Sequence, residues 1–304
     1  MQMLQIFELP KKFVNVLFAN CLLPIVYNLP DCEILIELPI ENCQLPTTNC
    51  LSLRPMSKYS HDKIVPFSDS QQTKKEQVAA MFDKIAFRYD LLNRFLSGGI
   101  DVSWRKRAIA ELKEIKPRQV LDVATGTADV AIITWKYLRP DKITGIDISE
   151  GMLNLGRQKI DKLLLSKQIE LLKGDSEAIN FPDATFDAIT VAFGVRNFEN
   201  LEKGLSEMYR VLRPGGKVVI LEFSKPRKTG FKSLYNLYMN VIAPRAGQWL
   251  GKNKDAYQYL NQSVKAFPEG ETFLHILQQV GFTNTTLKRL SLGICTIYCG
   301  RKAN

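Results

Sequence analysis

Five apolar runs, set among helix-patterned stretches, restrict what this chain can become more than any other feature. QVLDVA (119–124), KITGIDI (142–148), IELLKG (169–174), FDAITVAF (186–193) and KVVILEF (217–223) are rich in β-branched and apolar residues. Near-continuous apolar character is what a strand buried on both faces requires. Helical patterns fall near 128–138, 150–165 and 200–212, and strand–helix alternation predicts a parallel sheet wrapped by helices on both faces. Pro214, Gly215 and Gly216 read as the turn before the fifth strand. The tail TTLKRLSLGICTIYCGRK (285–302) reads as two more strands in an antiparallel hairpin about Leu292–Gly293. Upstream, Val78, Met81, Phe82, Ile85, Tyr89 and Leu92 share one helical face. The expectation is one seven-stranded, mostly parallel α/β domain over 56–304. It has a helical N-terminal cap (74–112), a sheet core (117–225), a helical lid (231–265), and a C-terminal helix and hairpin (268–304).

Residues 1–55 differ in character. The 304-residue chain carries a formal net charge of +10, yet this segment holds three basic residues (Lys11, Lys12, Arg54) against five acidic ones (Glu8, Asp31, Glu33, Glu37, Glu41). FVNVLFANCLLPIVY (13–27) is too short, and too interrupted by Asn15, Asn20 and Pro24, for a membrane span. The segment lacks the arginine excess of a mitochondrial presequence and the small-residue cleavage site of a signal peptide. It is expected to be an extension outside the fold. Four of six cysteines lie there (Cys21, Cys32, Cys43, Cys50) at spacings that match no zinc pattern. Cys295 and Cys299 share a strand face and read as buried thiols. With His61 and His275 the only histidines, a multi-histidine metal centre is excluded, and the domain reads as reduced, cytoplasmic and without structural metal.

In an open α/β sheet the ligand sits beyond the carboxyl ends of the strands. Those ends carry Asp122 and the loop Ala124–Asp129, then Asp147, then Asp175 and Ser176, then Arg196 and Asn197, then Glu222 and Ser224. An acid ending the second strand can take both hydroxyls of a ribose. A pyrophosphate would need several glycines and a helix N-terminus free of negative charge. This loop keeps only Gly126 and places Asp129 at the helix start. It suits a ligand with adenosine, no phosphate and a positive charge, which describes S-adenosylmethionine.

VLDVATGTADVA, GIDISEGML, FGVRNF, LEFSKP and FDKIAFRYDLLNRFLSGGIDVSWRK resemble the ubiquinone/menaquinone-biosynthesis C-methyltransferases, from about Lys58 to Lys302. The first two strings are shared by many S-adenosylmethionine enzymes; RYDLLNRFLSGGID, FGVRN and LEFSKP are more specific. The resemblance implies a class I S-adenosylmethionine-dependent methyltransferase fold and cofactor contacts at Thr127, Asp147, Asp175 and Ser176. Some relatives carry Gly where this chain has Ala128 and Ser where it has Ala192. The implied reaction is methyl transfer to a ring carbon of a prenylated demethylmenaquinol, with no metal. Arg196 and Asn197 would stabilise the oxyanion or position a water. An ion pair of Arg196 with Glu199 or Glu222 is the structural alternative for that residue, and His275 is expected to pack or face solvent.

A prenylated substrate gives the positive charge a use. FKSLYNLYMNVIAPRAGQWLGKNKDAYQYL (231–260) mixes aromatic and basic residues, as an element touching an anionic membrane would. A lid that only packs on the sheet is the alternative. Peripheral contact with the inner face of the plasma membrane and a homodimer are both compatible with this reading. Other substrates remain open: a ubiquinone-precursor benzoquinol or a soluble small molecule. A nucleic-acid partner is disfavoured by the dispersal of the basic residues, and an NAD oxidoreductase by the loop.

Overall fold

The computed structural model describes residues 59–68, 70–226 and 254–304. The expected extension over 1–55 and most of the expected lid lie outside these. Seven strands form one sheet in the order β3-β2-β1-β4-β5-β7-β6. They are β1 (Gln119–Val123), β2 (Lys142–Asp147), β3 (Ile169–Lys173), β4 (Phe186–Ala192), β5 (Leu212–Phe223), β6 (Thr283–Leu290) and β7 (Cys295–Arg301). The first five pair in parallel, and β7 runs antiparallel to both β5 and β6. This is the mostly parallel sheet with a C-terminal antiparallel hairpin anticipated from the apolar runs and the tail, and the class I S-adenosylmethionine-dependent methyltransferase architecture that the resemblance implies.

The expected helical cap is two helices, α1 (Lys74–Ser97) and α2 (Ile100–Ala110). Gly98 and Gly99 between them adopt φ of +58° and +79°, a left-handed corner that side chains resist. The remaining α-helices among the described residues are α3 (Asp129–Leu138), α4 (Glu150–Lys162), α5 (Leu201–Val211), α6 (Lys254–Ala266) and α7 (Glu271–Val280). Ser149 and Asn200 cap α4 and α5 by accepting the N–H of Met152 and Lys203, the role short polar side chains fill at helix starts.

Residues from α2, α3 and α4 (Trp104, Ala131, Leu153) pack with Val120, Ile143 and Val219 on one face of the sheet. Leu205 and Met208 of α5 and Phe273 and Leu277 of α7 pack with Leu121, Ile189 and Ile220 on the other. Alternation along a strand explains how both faces are apolar: Val120 and Leu121 point to opposite layers. Cys295 and Cys299 are buried free thiols on one face of β7. The Pro214–Gly216 turn lies inside β5 instead of ahead of it. Pairing with β4 jumps from Phe186–Leu212 to Ala188–Lys217, so the extra residues form a bulge.

One polar residue sits at the centre of this apolar sheet. Asp122 on β1 accepts the Thr125 hydroxyl at 2.6 Å and the Thr190 hydroxyl at 2.6 Å. It thereby fixes the turn after β1 and ties it to β4. Burial pushes its carboxyl up to about 6 from its ordinary 3.8, against the lowering effect of the two hydroxyls. Between those pH values the folded chain holds a proton that the unfolded chain has lost, so stability falls as pH rises through the window. Asp122→Asn keeps a hydrogen-bonding group without the charge. It should gain stability over the parent, rising from little near pH 4 to about 3 kcal/mol above pH 6. Urea unfolding across that range checks the sign; an advantage that shrinks with rising pH would contradict it.

Candidate functional site

The turns after β1 to β4 open into a shared cleft, about 640 Å3 with its open mouth included. The floor comes from Ala124 and Gly126, Asp147 and Ile148, Gly174 to Glu177, and Ala192 to Gly194. Val78, Phe82 and Tyr89 of α1 and Met152 of α4 supply apolar walls, and Asn197, Phe198 and Glu199 close the far side.

The turn after β1 is left-handed at three alternate residues: Ala124 (φ +52°), Gly126 (+56°) and Ala128 (+66°). Each alanine bears about 1–2 kcal/mol of strain in that conformation. The turn is therefore glycine-like in shape with methyl groups added. Room for those methyls is found opposite. A Cβ on Gly194 would come within 2.6 Å of the Ala124 methyl, and one on Gly156 within 3.4 Å of the Ala128 methyl.

Helix α1 is bound to the three turns beneath it. Lys75 Nζ donates to Asp175 at 2.7 Å and pairs with Glu177 at 2.9 Å, after β3. Asp83 accepts the Ser149 hydroxyl at 2.5 Å and the Gly151 N–H at 2.9 Å, after β2. Asp90 accepts the Thr127 hydroxyl at 2.7 Å and pairs with Lys159, after β1. Gly151 permits the approach, since a Cβ there would meet Asp83 Oδ1 at 2.9 Å. Lys75, Asp83 and Asp90, eight and seven residues apart, recur at close to two helical turns and so share one side of α1. Sequence reasoning used the apolar row of α1 and missed this polar row beside it, although the same helical phase would have shown it.

Asp147 stands in the floor, where Oδ2 accepts the Gly126 N–H at 2.8 Å and Oδ1 the Ser149 N–H at 2.9 Å. Burial raises its pKa, while those N–H groups work the other way. Asp175 and Ser176 also line the cleft. Thr127 does not: its hydroxyl is turned away to Asp90 and receives Lys159 Nζ at 2.9 Å. Asp129 is likewise absent from the lining. Burial alone would raise its pKa, but Lys159, Arg105 and Arg94 hold it below the ordinary value. What disfavours phosphate is the cleft lining, not Asp129. Asp147, Asp175, Glu177 and Glu199 face a single ammonium, Lys75, in the lining. That acidic wall, in a chain of net charge +10, suits a cation.

The two residues expected at the end of β4 separate. Asn197, in a 3-10 turn over Val195–Asn197, lines the cleft. Arg196 of the same turn lies behind it, buried, with Nη1 donating to Glu222 at 2.7 Å and to the Phe193 carbonyl at 2.6 Å. Its guanidinium lies over the Phe223 ring, 5.4 Å from the centroid. Burial raises the Glu222 pKa and Arg196 opposes that rise. Of the two ion-pair partners considered for Arg196, the structure selects Glu222 on the neighbouring strand. Glu177 extends the connection: its Oε1 accepts the N–H groups of Glu199 and Asn200 at 2.8 and 2.9 Å. His275 is exposed on α7, and His61 is buried in an N-terminal 3-10 turn and is not among the lining residues.

A profile of the ubiE/COQ5 methyltransferase family matches residues 70–302. The chain is 49% identical over 244 residues to a demethylmenaquinone methyltransferase of Bacteroides fragilis, covering 80% of this chain and 99% of that protein. It is 47% identical to a ubiquinone/menaquinone biosynthesis C-methyltransferase of Geotalea daltonii, covering 75% and 97%. Among solved structures it is similar in fold to phosphoethanolamine N-methyltransferase 2 of Haemonchus contortus in complex with S-adenosyl-L-methionine. That match has a TM-score of 0.55 at 14% identity, covering 78% of this chain and 62% of that one.

Removing Arg196 leaves Glu222 buried and unpaired, a loss of about 3–5 kcal/mol. Arg196→Ala should therefore lower Tm and activity together. Arg196→Ala with Glu222→Gln should recover most of the stability, as read by thermal unfolding.

Proposed function

The chain belongs to the ubiE/COQ5 methyltransferase family, and on that premise we propose that it methylates a ring carbon of demethylmenaquinol, giving menaquinol, with S-adenosylmethionine as methyl donor. The observation that carries the reading is the acidic cleft at the ends of β1 to β4, with Asn197 facing into it. It accommodates adenosine against Val78, Phe82 and Met152 and a sulfonium among carboxylates, and it disfavours pyrophosphate. Asp147 accepts the backbone N–H groups of Gly126 and Ser149 and keeps lone-pair capacity for a ribose hydroxyl. Asp175 and Ser176 lie one strand further along, where the base would extend. Thr127 serves through the turn backbone that its hydroxyl fixes.

Bound there, the cofactor supplies an electrophilic methyl group. The protein's part is to align donor and ring and to favour the quinol as its oxyanion. Loss of the hydroxyl proton makes the neighbouring ring carbon nucleophilic. That carbon bonds the methyl as the sulfur–carbon bond breaks, and the ring proton then leaves to restore aromaticity. The Asn197 amide can donate to the developing oxyanion. Arg196, held behind it by Glu222 and the Phe193 carbonyl, anchors the turn that presents Asn197. The name of the Geotalea relative supports a second reading, methylation of a ubiquinone-precursor benzoquinol by the same chemistry.

Purified protein with labelled S-adenosylmethionine, offered reduced demethylmenaquinone beside a demethylated benzoquinol, tests both. Label should appear in the naphthoquinol; label in neither product overturns the proposal, and preference for the benzoquinol selects the second reading. Asp147→Ala should raise KM for the cofactor by about 10–100-fold, the range for losing hydrogen bonds to a charged group.

The same proposal extends to an anionic membrane surface as the place of work. A bilayer-resident substrate and a basic chain both support it. Flotation with anionic vesicles should carry the protein upward and lose it as salt is raised; equal flotation with neutral vesicles would contradict the electrostatic account.

A further inference from the structure

Helix α6 brings Tyr259 to the back of the catalytic turn. Its ring packs on Val78 and Met81 of α1, and only 3% of the residue is exposed. Its hydroxyl donates to Asn197 Oδ1 at 3.1 Å. A buried phenol needs such a partner. Burial holds its pKa above the ordinary value, so it stays a donor.

That bond, together with the acceptor-only Phe193 carbonyl at the other end of the amide, fits one orientation of Asn197. A carboxamide presents an acceptor at one end and two N–H donors at the other, and the two ends are nearly equal in size. With Oδ1 committed to Tyr259, the Nδ2 end is set. One N–H reaches the Phe193 carbonyl at a long 3.4 Å, and the second has no protein partner among the described residues. Asn197 lines the cleft, so this second N–H is available to a ligand oxygen. Were the amide turned over, the cleft would meet a carbonyl oxygen, which repels an oxyanion.

We infer that Tyr259 is a positioning residue, whose hydroxyl fixes the Asn197 amide with its N–H end toward the substrate oxygen. This rests on the role proposed above for Asn197. Tyr259 itself is not among the residues that line the cleft; it packs on the back of Val78, which is. It acts from the opposite side of the turn, and it links the segment that begins at Lys254 to the chemistry.

Full-length Tyr259→Phe, Asn197→Ala, Asn197→Asp and the Tyr259→Phe/Asn197→Ala pair, assayed for quinol methylation, separate the possibilities. Asn197→Ala should lower kcat about a hundredfold, as loss of an oxyanion donor does. Tyr259→Phe keeps the ring and should lower kcat about tenfold, with KM for S-adenosylmethionine and Tm near the parent values. In the double variant the tyrosine change should add nothing, because its effect passes through the amide. Asn197→Asp keeps an acceptor for Tyr259 but has no N–H end, and it should be as impaired as Asn197→Ala. Parent-like kcat in Tyr259→Phe, with Asn197→Ala impaired, overturns the inference and leaves the role of Asn197 standing. A tyrosine effect undiminished in the double variant, or a loss that follows Tm, also overturns it. Parent-like kcat in Asn197→Ala removes the Asn197 role and this inference together.

Discussion

A parallel sheet delivers its turns to one edge but does not hold them in place. Turns between strands and helices are the most mobile parts of an α/β fold, and a ligand site built on four of them needs something outside the sheet to fix their spacing. In this chain α1 does so through Lys75, Asp83 and Asp90, one side chain to each of three turns. The apolar residues of the same helix form the cleft wall. One helix therefore sets both the width of the cleft and the position of its polar floor. Ion pairs at the rim would contribute little alone. Distributed along a rigid helix, they act on geometry more than on stability.

The electrostatics follow the same division. Asp129, Lys159, Asp90 and Arg94 neutralise one another outside the cleft, while the carboxylates of the lining have only Lys75 among them. The positive charge of the whole chain is thus absent from the place where a cationic ligand would bind. At the other end of the cleft, Arg196 behind Asn197 is neutralised in the same way by Glu222.

The sheet could be read from the sequence because buried parallel strands announce themselves as apolar runs: the five parallel strands lie where those runs are, and the last two where the tail reads as a hairpin. The bulge at Pro214–Gly216 was not legible, since a turn and a bulge use the same residues and differ only in pairing. Site residues were legible as far as topology places them: Asp147, Asp175, Ser176 and Asn197 do meet in one cleft. Thr127 and Asp129 went elsewhere because neighbours distant in sequence, Asp90, Arg94 and Lys159, compete for them. Arg196 and Glu222 were expected beyond the strand ends and instead pair beneath the cleft, because two buried opposite charges on adjacent strands satisfy each other best. Tyr259 gave no signal, as its partner lies 62 positions away.

The alanines at 124 and 128 look like losses from a glycine loop, yet the missing glycines are present across the gap. Ala124 fills the space that Gly194 vacates, at a separation that leaves no room for a methyl on both. The rule that governs the turn after β1 is thus shared between two segments seventy residues apart in sequence. A methyl at 194 would meet the one at 124 and also the Val191 side chain at 3.1 Å, so Gly194 is held to glycine by its neighbours in space. A motif search confined to the loop sees Ala124 without the glycine it packs against.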